Sequence, residues 1–467
     1  MAEGAVRHYT EWTPRLIRRS RYAYEDESRE TSNIMNILGY GPEIRQKRRE
    51  HYIESDRLDN THEEDFLCTS ITAGSKAEGL TRLFESDTDT IHVLPYVVCM
   101  ENCFDQSNIP CHFTILEMNF QNTSAGYCRV LLGRLAPRSA SAISDSLCEN
   151  ECGHSILSSA LYVEYFRHVR HASGTVHHHP RAGPSLPWSN GPFKNDSVYA
   201  IRCNCPNMLK TWANRTRHWS PSDIVEKVVA IGAFVTPIGS KGSEHNHVEW
   251  RICFNTGETE LVNNLNDTQI KLYVLLKMIA KDILKPQKKE ITSYTMKNIV
   301  LWLAENNQSS FFHSGSLFHW LREGLNNLRT SLSTKQLPYY MIPERNLLAE
   351  SELNTDQQQL WVRTIADMME EGPRMLLRLN KFRQAIIGYP EPLLWYSKMR
   401  VEMEIWALEF NKRLLQCGAT NSMVIETDTI LLTCNKRRYE IACEVVRRMG
   451  LEGSSVYNVN VEKMMLS

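Results

Sequence analysis

The sequence predicts an α+β fold, with a mixed β-sheet in the first half of the chain and helices in the second half. Three observations carry this prediction. Two short β-rich runs, at 66–72 and 90–94, flank a Gly-Ser turn and an Asp-x-Asp motif. A third β-rich run begins at Asp196 and extends to Ile201. Apolar residues then recur at helical spacing beyond residue 266.

The composition is that of an ordinary soluble globular protein. The 467 residues are 42% hydrophobic and 23% charged, and the formal net charge is −1. Any nucleic-acid surface must therefore be a local patch. No apolar run approaches the length of a membrane span, and the first residues lack the apolar core of a signal peptide. We expect a protein of the cytoplasm or nucleus with no membrane partner.

The Asp-x-Asp motif is the first candidate site. If Asp87 and Asp89 begin a strand, its period of two puts both carboxylates on one face. Two adjacent carboxylates repel each other, and that arrangement favours a divalent cation such as Mg²⁺, which takes one or two carboxylates together with substrate phosphates. An isolated Asp-x-Asp is more often a pair of solvated acids, so the motif needs support from its surroundings.

The preceding turn supplies that support. Gly74 can adopt backbone angles that turn successive N–H groups toward an anion, and Ser75 adds a hydroxyl. The combined stretch predicts a phosphate-binding turn that faces a metal-binding strand.

Asp196 is the candidate third carboxylate. A two-metal phosphoryl-transfer site commonly uses one more acid to hold the metal that activates the attacking hydroxyl. A lone acid at the start of a strand is more often structural, and only the upstream motif favours the functional interpretation. We expect its strand to lie beside the Asp-x-Asp strand.

A basic helix precedes these motifs. Gly39 and Gly41 end a short helix, and Pro42 opens a longer one that runs toward Leu58. Its basic residues are Arg45, Lys47, Arg48 and Arg49. They form either a solvated helix face or a face that contacts phosphates.

Further elements follow in order. A mostly helical segment carries Leu157, Leu161, Tyr162 and Phe166. A loop spans 172–195, and a helix from Pro221 to Gly232 leads into a short strand. Beyond a β-rich run at 249–255, helices are predicted from 261 onward, one of them starting at Ser293.

The motifs occur in the order found in one known family. The matching blocks are 73–80, 85–89, Asp196 with its strand, 249–251, 275–277, 293–294 and 342–343. Together they resemble the Mab-twenty-one-like (male-abnormal-twenty-one) domain family, in its cyclic GMP-AMP synthase-like receptor branch of the nucleotidyltransferase superfamily. The resemblance covers about residues 30 to 347.

The resemblance implies a bilobal nucleotidyltransferase-like fold with a mixed β-sheet catalytic lobe and a helical C-terminal lobe. The implied divisions are an N-terminal arm with the basic helix at 1–60, the core at 61–265, the helical lobe at 266–347, and an extra helical extension at 348–467.

The resemblance also implies residue roles. In the implied metal site, Asp87, Asp89 and Asp196 ligate two Mg²⁺ or Mn²⁺ ions. The implied nucleotide contacts are Gly74 and Ser75 on the triphosphate, Lys277 and Ser293 on phosphate oxygens, Tyr294 on a base, and Arg251 and Glu258 on the acceptor nucleotide. Other interpretations stay open, since Lys277 could extend from a helix to solvent and Tyr294 could be a half-buried core aromatic.

The implied function is metal-dependent joining of ATP and/or GTP into a cyclic dinucleotide for innate immune sensing. Double-stranded RNA or another nucleic acid is the implied activator. The alternative is a non-catalytic domain that acts in protein interaction or development. The zinc-bearing DNA clamp of cyclic GMP-AMP synthase is missing, because 263–275 has no Cys/His cluster.

Overall fold

The computed structural model describes residues 22–62, 68–101, 109–149, 153–169, 176–286, 290–349, 351–417, 427–455 and 459–467. The predicted N-terminal arm up to residue 21 lies outside these ranges. Within them the chain is a mixed α+β protein with one sheet and a helical C-terminal region. No helix in the described ranges has the length and apolarity needed to cross a membrane.

The sheet is built from strands that alternate with short helices. The strands are β1 Thr69–Ala73, β2 Thr88–Glu101, β3 Thr114–Asn119, β4 Tyr127–Arg134, β5 Leu147–Glu149, β6 Ser155–Leu157, β7 His177–His178, β8 Leu186–Asn190, β9 Phe193–Asn204, β10 Ala233–Thr236 and β11 Glu249–Cys253. The main order is β1-β2-β3-β4-β11-β10-β9-β8-β7, and β2 also pairs with β9. Because β2 pairs with both β3 and β9, the strands β2, β3, β4, β11, β10 and β9 form a closed ring of pairings.

The helices of the first half are short apart from one. They are α1 Glu25–Met35, α2 Pro42–His62, α3 Gly74–Ala77, α4 Ser141–Ser144, α5 Ser159–Val169, α6 Pro206–Ala213, α7 Ser222–Ile231 and α8 Asn255–Asn263. The long helix α2 lies against β1, and Asp56 on α2 accepts hydrogen bonds from the Thr72 backbone N–H and hydroxyl, both at under 3 Å. This contact fixes the strand that leads into the Gly-Ser turn.

The second half is almost entirely helical. Its helices are α9 Asp267–Ile279, α10 Ser293–Asn306, α11 Leu317–Thr334, α12 Thr355–Glu371, α13 Asn380–Gly388, α14 Leu393–Gln416, α15 Thr429–Leu451 and α16 Val461–Leu466. Asn266 and Gln269 form a capping box that starts α9. The predicted apolar residues Leu272, Leu275, Leu276 and Ile279 are all buried in the main core.

The last helices return to the first half of the chain. Met399 and Met403 of α14 share a small core with Ile441 and Val445 of α15, and Leu83 and Phe84 pack against it. The Phe84 N–H donates to the Leu466 carbonyl at 2.9 Å. The C-terminal helices thus hold the segment between the Gly-Ser turn and the Asp-x-Asp motif.

The structure corrects the two interpretations of the basic helix. Arg45 and Arg48 are buried, so they belong neither to a solvated face nor to a face open to phosphates. Arg45 pairs with Asp267 at 3.0 Å, and Arg48 pairs with Glu404 of α14. Lys47 is exposed, as predicted. The error arose because the partners come from distant parts of the chain, which helical periodicity does not reveal.

Two smaller predictions also change. The loop predicted at 172–195 contains the strands β7 and β8, and β8 pairs along β9. Leu157, predicted with the helix that follows it, ends β6 instead. The helices predicted at 42–58 and 221–232 and the strand predicted at 196–201 are confirmed. The β-rich run predicted at 249–255 forms a strand that ends at Cys253, because α8 begins at Asn255.

Candidate active site

Two of the three predicted acidic residues lie side by side on neighbouring strands. In the parallel pairing of β2 with β9, Asp89 is directly opposite Asp196. Beyond them, Ile91 and Val93 continue the Asp89 face of β2, and Ala200 lies on the corresponding face of β9 in a small buried cluster. The strands are therefore anchored by apolar residues while their acidic ends reach the edge of the sheet. Asp87 directly precedes β2, two positions before Asp89. We call Asp87, Asp89 and Asp196 the acid edge.

The Gly-Ser turn lies against Asp89 of the acid edge. Ala73 at the end of β1 pairs with Asp89, and Gly74 follows with a φ of +63°. A Cβ atom on residue 74 would lie 2.3 Å from Oδ2 of Asp89. Glycine is therefore required here twice, for the left-handed backbone and for the close approach of the carboxylate.

The carboxylates of the acid edge repel each other. Two causes raise the pKa of Asp89 to about 6. The larger is desolvation by the surrounding protein, and the next is the nearby Asp196 carboxylate. The Asp89 side chain still keeps contact with solvent. Among the residues that the structure describes, no lysine or arginine forms an ion pair with any of the three acids. A site with this charge excess favours a cation.

The fit to a metal ion rests on two acids. Across the described ranges, no group of three or more His, Cys, Asp or Glu side chains is arranged to hold a metal ion. Mg²⁺ commonly takes only one or two protein carboxylates and completes its octahedron with water and substrate phosphates. Asp89 and Asp196 satisfy that requirement, and the cradle made by Gly74 fits a carboxylate held against the turn. Ligation by Asp87 stays a prediction.

Three predicted phosphate contacts line one cavity. Ser75, Lys277 and Ser293 border a cleft of about 520 Å³, which we call the phosphate cleft. The Lys277 Nζ donates to the Ser75 hydroxyl at 2.6 Å, and Ser293 is the first residue of α10. A helix N-terminus, a lysine and a hydroxyl together form a suitable anion environment. Burial lowers the pKa of Lys277, so a bound anion would favour its charged form.

Glu258 and Tyr294 lie together, but in an internal hydrogen-bond network. Glu258 is buried, and its Oε1 accepts hydrogen bonds from the hydroxyls of Tyr294 at 2.9 Å and Tyr339 at 2.7 Å. Tyr294 is half-buried and its hydroxyl is occupied. Stacking of its ring on a base stays a prediction. The contact of Glu258 with a nucleotide stays a prediction.

A buried lysine joins this network to the acid edge. The Lys297 Nζ lies 2.7 Å from Oε1 of Glu78 and 3.4 Å from Oε2 of Glu258. Although burial alone would lower it, these two carboxylates raise the pKa of Lys297 well above its usual value. Lys297 also acts electrostatically on Asp89. It is therefore a fixed positive charge behind the site.

Arg251 lies apart from the phosphate cleft. It is on β11, where it pairs with Thr236 of β10 and Tyr127 of β4. Although burial alone would lower it, the neighbouring Cys253 and Tyr127 raise the pKa of Arg251 above its usual value. The contact of Arg251 with the acceptor stays a prediction.

Sequence reasoning missed the residues that support the site. Glu78, Lys297 and Tyr339 enclose the predicted Glu258 and Tyr294. Lys297 lies three positions after Tyr294 on α10, so the helical spacing placed it on a neighbouring face. Glu78 is part of the matching block 73–80, but nothing in its local sequence marks it as buried.

A family model matches part of the second half of the chain. Residues 261–367 match the family model of the Mab-21 protein HhH/H2TH-like domain. The matched stretch begins in α8, contains α9 to α11 and most of α12, and includes Lys277, Ser293 and Tyr294. It runs past residue 347, where the helical lobe was predicted to end. The acid edge lies outside it. No curated protein matches the chain.

Proposed function

We propose that this chain, whose residues 261–367 form a Mab-21 family domain, is a metal-dependent nucleotidyltransferase with a bilobal fold. The observation that carries the proposal is the register of Asp89 with Asp196, with Gly74 packed against the Asp89 carboxylate. A purely structural sheet edge has no need for like charges held opposite each other.

Different residues of the site would have different roles in the reaction. Ser75, Lys277 and the start of α10 at Ser293 would hold the triphosphate of the donor nucleotide in the phosphate cleft. Asp89 and Asp196, with Asp87 beside them, would hold Mg²⁺ or Mn²⁺. The bound metal would stabilise the negative charge of the transferring phosphoryl group and lower the pKa of the attacking hydroxyl. The half-buried Tyr294 would stack on a base, and Arg251 and Glu258 would face the acceptor.

The finer proposal concerns the product and rests on the family resemblance. We propose ATP and/or GTP as substrates, a cyclic dinucleotide as the product, and innate immune sensing in the cytoplasm or nucleus as the role. Double-stranded RNA is the proposed activator. Since Arg45 and Arg48 are buried, its contacts would come from exposed basic residues such as Lys47, Lys281 and Lys285.

The second candidate is a non-catalytic interaction domain. It is favoured by the finding that, in the described ranges, the acids do not form a three-residue group that could hold a metal. Such a domain would keep its fold and partners when the acid edge is neutralised.

Product formation distinguishes the two functions. Purified full-length chain is incubated with four labelled ribonucleoside triphosphates and Mg²⁺ or Mn²⁺, with and without double-stranded RNA or DNA. We expect a phosphatase-resistant product from wild type and none from the double variant Asp89→Asn with Asp196→Asn. The control is Asp223→Asn, which changes an exposed acid in the first turn of α7. Equal synthesis by wild type and the double variant would contradict the proposed site. If no condition gives a product, the interaction domain becomes the better description.

A further inference from the structure

The phosphate cleft has further lysines in its lining, and one of them comes from outside the matched domain. Besides Ser75, Lys277 and Ser293, the cleft is lined by Lys281, Lys285 and Lys381. Lys381 is the second residue of α13, and α13 lies beyond the matched residues 261–367. The C-terminal extension therefore contributes a cation to the wall of the cleft.

The charges around the cleft do not cancel. Its lining contains four lysines, at 277, 281, 285 and 381, against the two carboxylates of Glu85 and Asp282. The lining thus has two more positive than negative side chains. A linear polyanion is the ligand class that can meet lysines spread along a cleft of about 520 Å³.

Lys381 pairs with a carboxylate that also has other hydrogen-bond partners. Its Nζ forms an ion pair with Glu85 and lies 3.1 Å from the Tyr40 hydroxyl. Glu85 also accepts hydrogen bonds from the Tyr40 hydroxyl at 2.9 Å and from the Arg82 backbone N–H at 3.1 Å. If Lys381 turned toward a ligand, the Glu85 carboxylate would keep two partners. The exchange would cost Glu85 its ion pair with Lys381, but its carboxylate would stay hydrogen-bonded and close to the Arg82 charge.

The exposed fractions of the Lys381 and Glu85 side chains agree with such an exchange. The Lys381 side chain is 33% exposed, whereas that of Glu85 is 13% exposed. The Glu85 carboxylate is held in the wall, while the Lys381 side chain is the more exposed of the two. A lysine has a flexible four-carbon stem, so its ammonium group can be redirected within the cleft without movement of α13.

We propose that Lys381 binds the terminal phosphate of a nucleoside triphosphate whose inner phosphates contact Ser75 and Lys277. This inference rests on the proposed function and adds a binding residue from the C-terminal extension. Lys381 exchanges Glu85 for the phosphate when the ligand binds. The extension thereby makes the cleft selective for triphosphates over monophosphates.

The test compares ligands that differ only in their phosphate tail. Binding of ATP, AMP and inorganic tripolyphosphate to the full-length chain is measured by calorimetry. We expect Lys381→Gln to weaken ATP and tripolyphosphate by about tenfold or more, since a charge-assisted hydrogen bond is lost. AMP binding should not change, and Lys381→Arg should restore most of the affinity. The control is Arg383→Gln, an exposed residue of the same helix whose guanidinium donates to the Asn380 side chain.

Each outcome decides the inference separately from the proposed function. Equal weakening of ATP and AMP by Lys381→Gln, or no weakening of either, would overturn the role of Lys381 even if the protein synthesises product. Wild type that fails to bind tripolyphosphate and ATP would also overturn it. Lys381-dependent preference for ATP over AMP would support the inference even in a protein that makes no product.

Discussion

The acid edge and the Arg48–Glu404 pair differ in how their charges are compensated. Arg48 and Glu404 are each 1% exposed, and two hydrogen bonds of 2.7 and 2.8 Å join the guanidinium to the carboxylate. At the acid edge, like charges face each other across a strand pair and remain open to solvent. The first arrangement satisfies every charge within the fold. The second leaves charge for something else to satisfy, which is how a binding site differs from a structural ion pair.

The largest expected effect comes from breaking the buried pair. Glu404→Ala would leave Arg48 buried without its carboxylate, and we expect a loss of about 3 to 5 kcal/mol in the free energy of unfolding. Denaturant unfolding at neutral pH measures it. The matched control is Glu409→Ala on the same helix, whose half-exposed pair with Lys412 should contribute less than about 1 kcal/mol. Similar small losses for both variants would remove the contrast between the two regions.

The second effect tests the cradle of the acid edge. Gly74→Ala would add the strain of a positive φ and force Asp89 away from the turn, because the new Cβ would meet Oδ2 at 2.3 Å. Misplacement of a metal-binding carboxylate should lower nucleotidyl transfer by about 100-fold. Activity and unfolding are measured on the same samples.

Gly191→Ala separates strain from collision. Gly191 has a φ of +56°, but an added Cβ there would meet no atom within 4 Å. Gly191→Ala should lose about 1 to 2 kcal/mol in the free energy of unfolding through backbone strain, and it should keep its activity. Equal activity in the two variants would argue against a catalytic position for Asp89.

The third effect is the pH dependence of stability. A pKa of about 6 for Asp89 in the folded state lies above the usual 3.8, so its ionisation opposes folding. The contribution of Asp89 to the stability of wild type should fall as pH rises from about 4 to about 6. Over the same range the free energy of unfolding of Asp89→Asn should rise relative to that of wild type, by about 1 kcal/mol once solvent contact is allowed for. Unfolding curves at several pH values, without divalent cations, would show a constant difference between the two proteins if the pKa of Asp89 is not raised.

The smallest effect concerns the exposed part of the basic helix. Lys47 is exposed, so Lys47→Glu should leave the free energy of unfolding within about 0.5 kcal/mol of wild type. If Lys47 contacts the RNA backbone, the slope of log affinity against log salt should fall by about one unit. Fluorescence anisotropy with a duplex RNA measures this slope. An unchanged slope would remove α2 from the RNA contact surface.

Local patterns in the sequence predicted the two strands that carry Asp89 and Asp196 but misjudged the basic helix. The period of two and the β-branched residues after Asp89 and Asp196 were enough to predict two strands, and the register of those strands was then found in the sheet. In α2, the same kind of local reasoning could not see Glu404, which is 356 positions from Arg48. A charge run indicates exposure only if no distant element covers it.

The supporting residues of the site show the same limit. Ser75 and Lys277 are 202 positions apart, and they were linked by family resemblance before the structure joined them at 2.6 Å. Lys297, Glu78 and Lys381 carry no local signal of their partners. Each meets an opposite charge only through tertiary packing.

Metal binding at the acid edge is the most direct test of the proposed chemistry. Mn²⁺ is titrated into the full-length chain with a non-hydrolysable nucleoside triphosphate, and free Mn²⁺ is followed by electron paramagnetic resonance. We expect wild type to bind Mn²⁺ in competition with Mg²⁺, and Asp89→Asn and Asp196→Asn each to weaken binding by at least about tenfold. Asp223→Asn should bind as wild type does. Unchanged Mn²⁺ affinity in both acid-edge variants would contradict a metal site between Asp89 and Asp196.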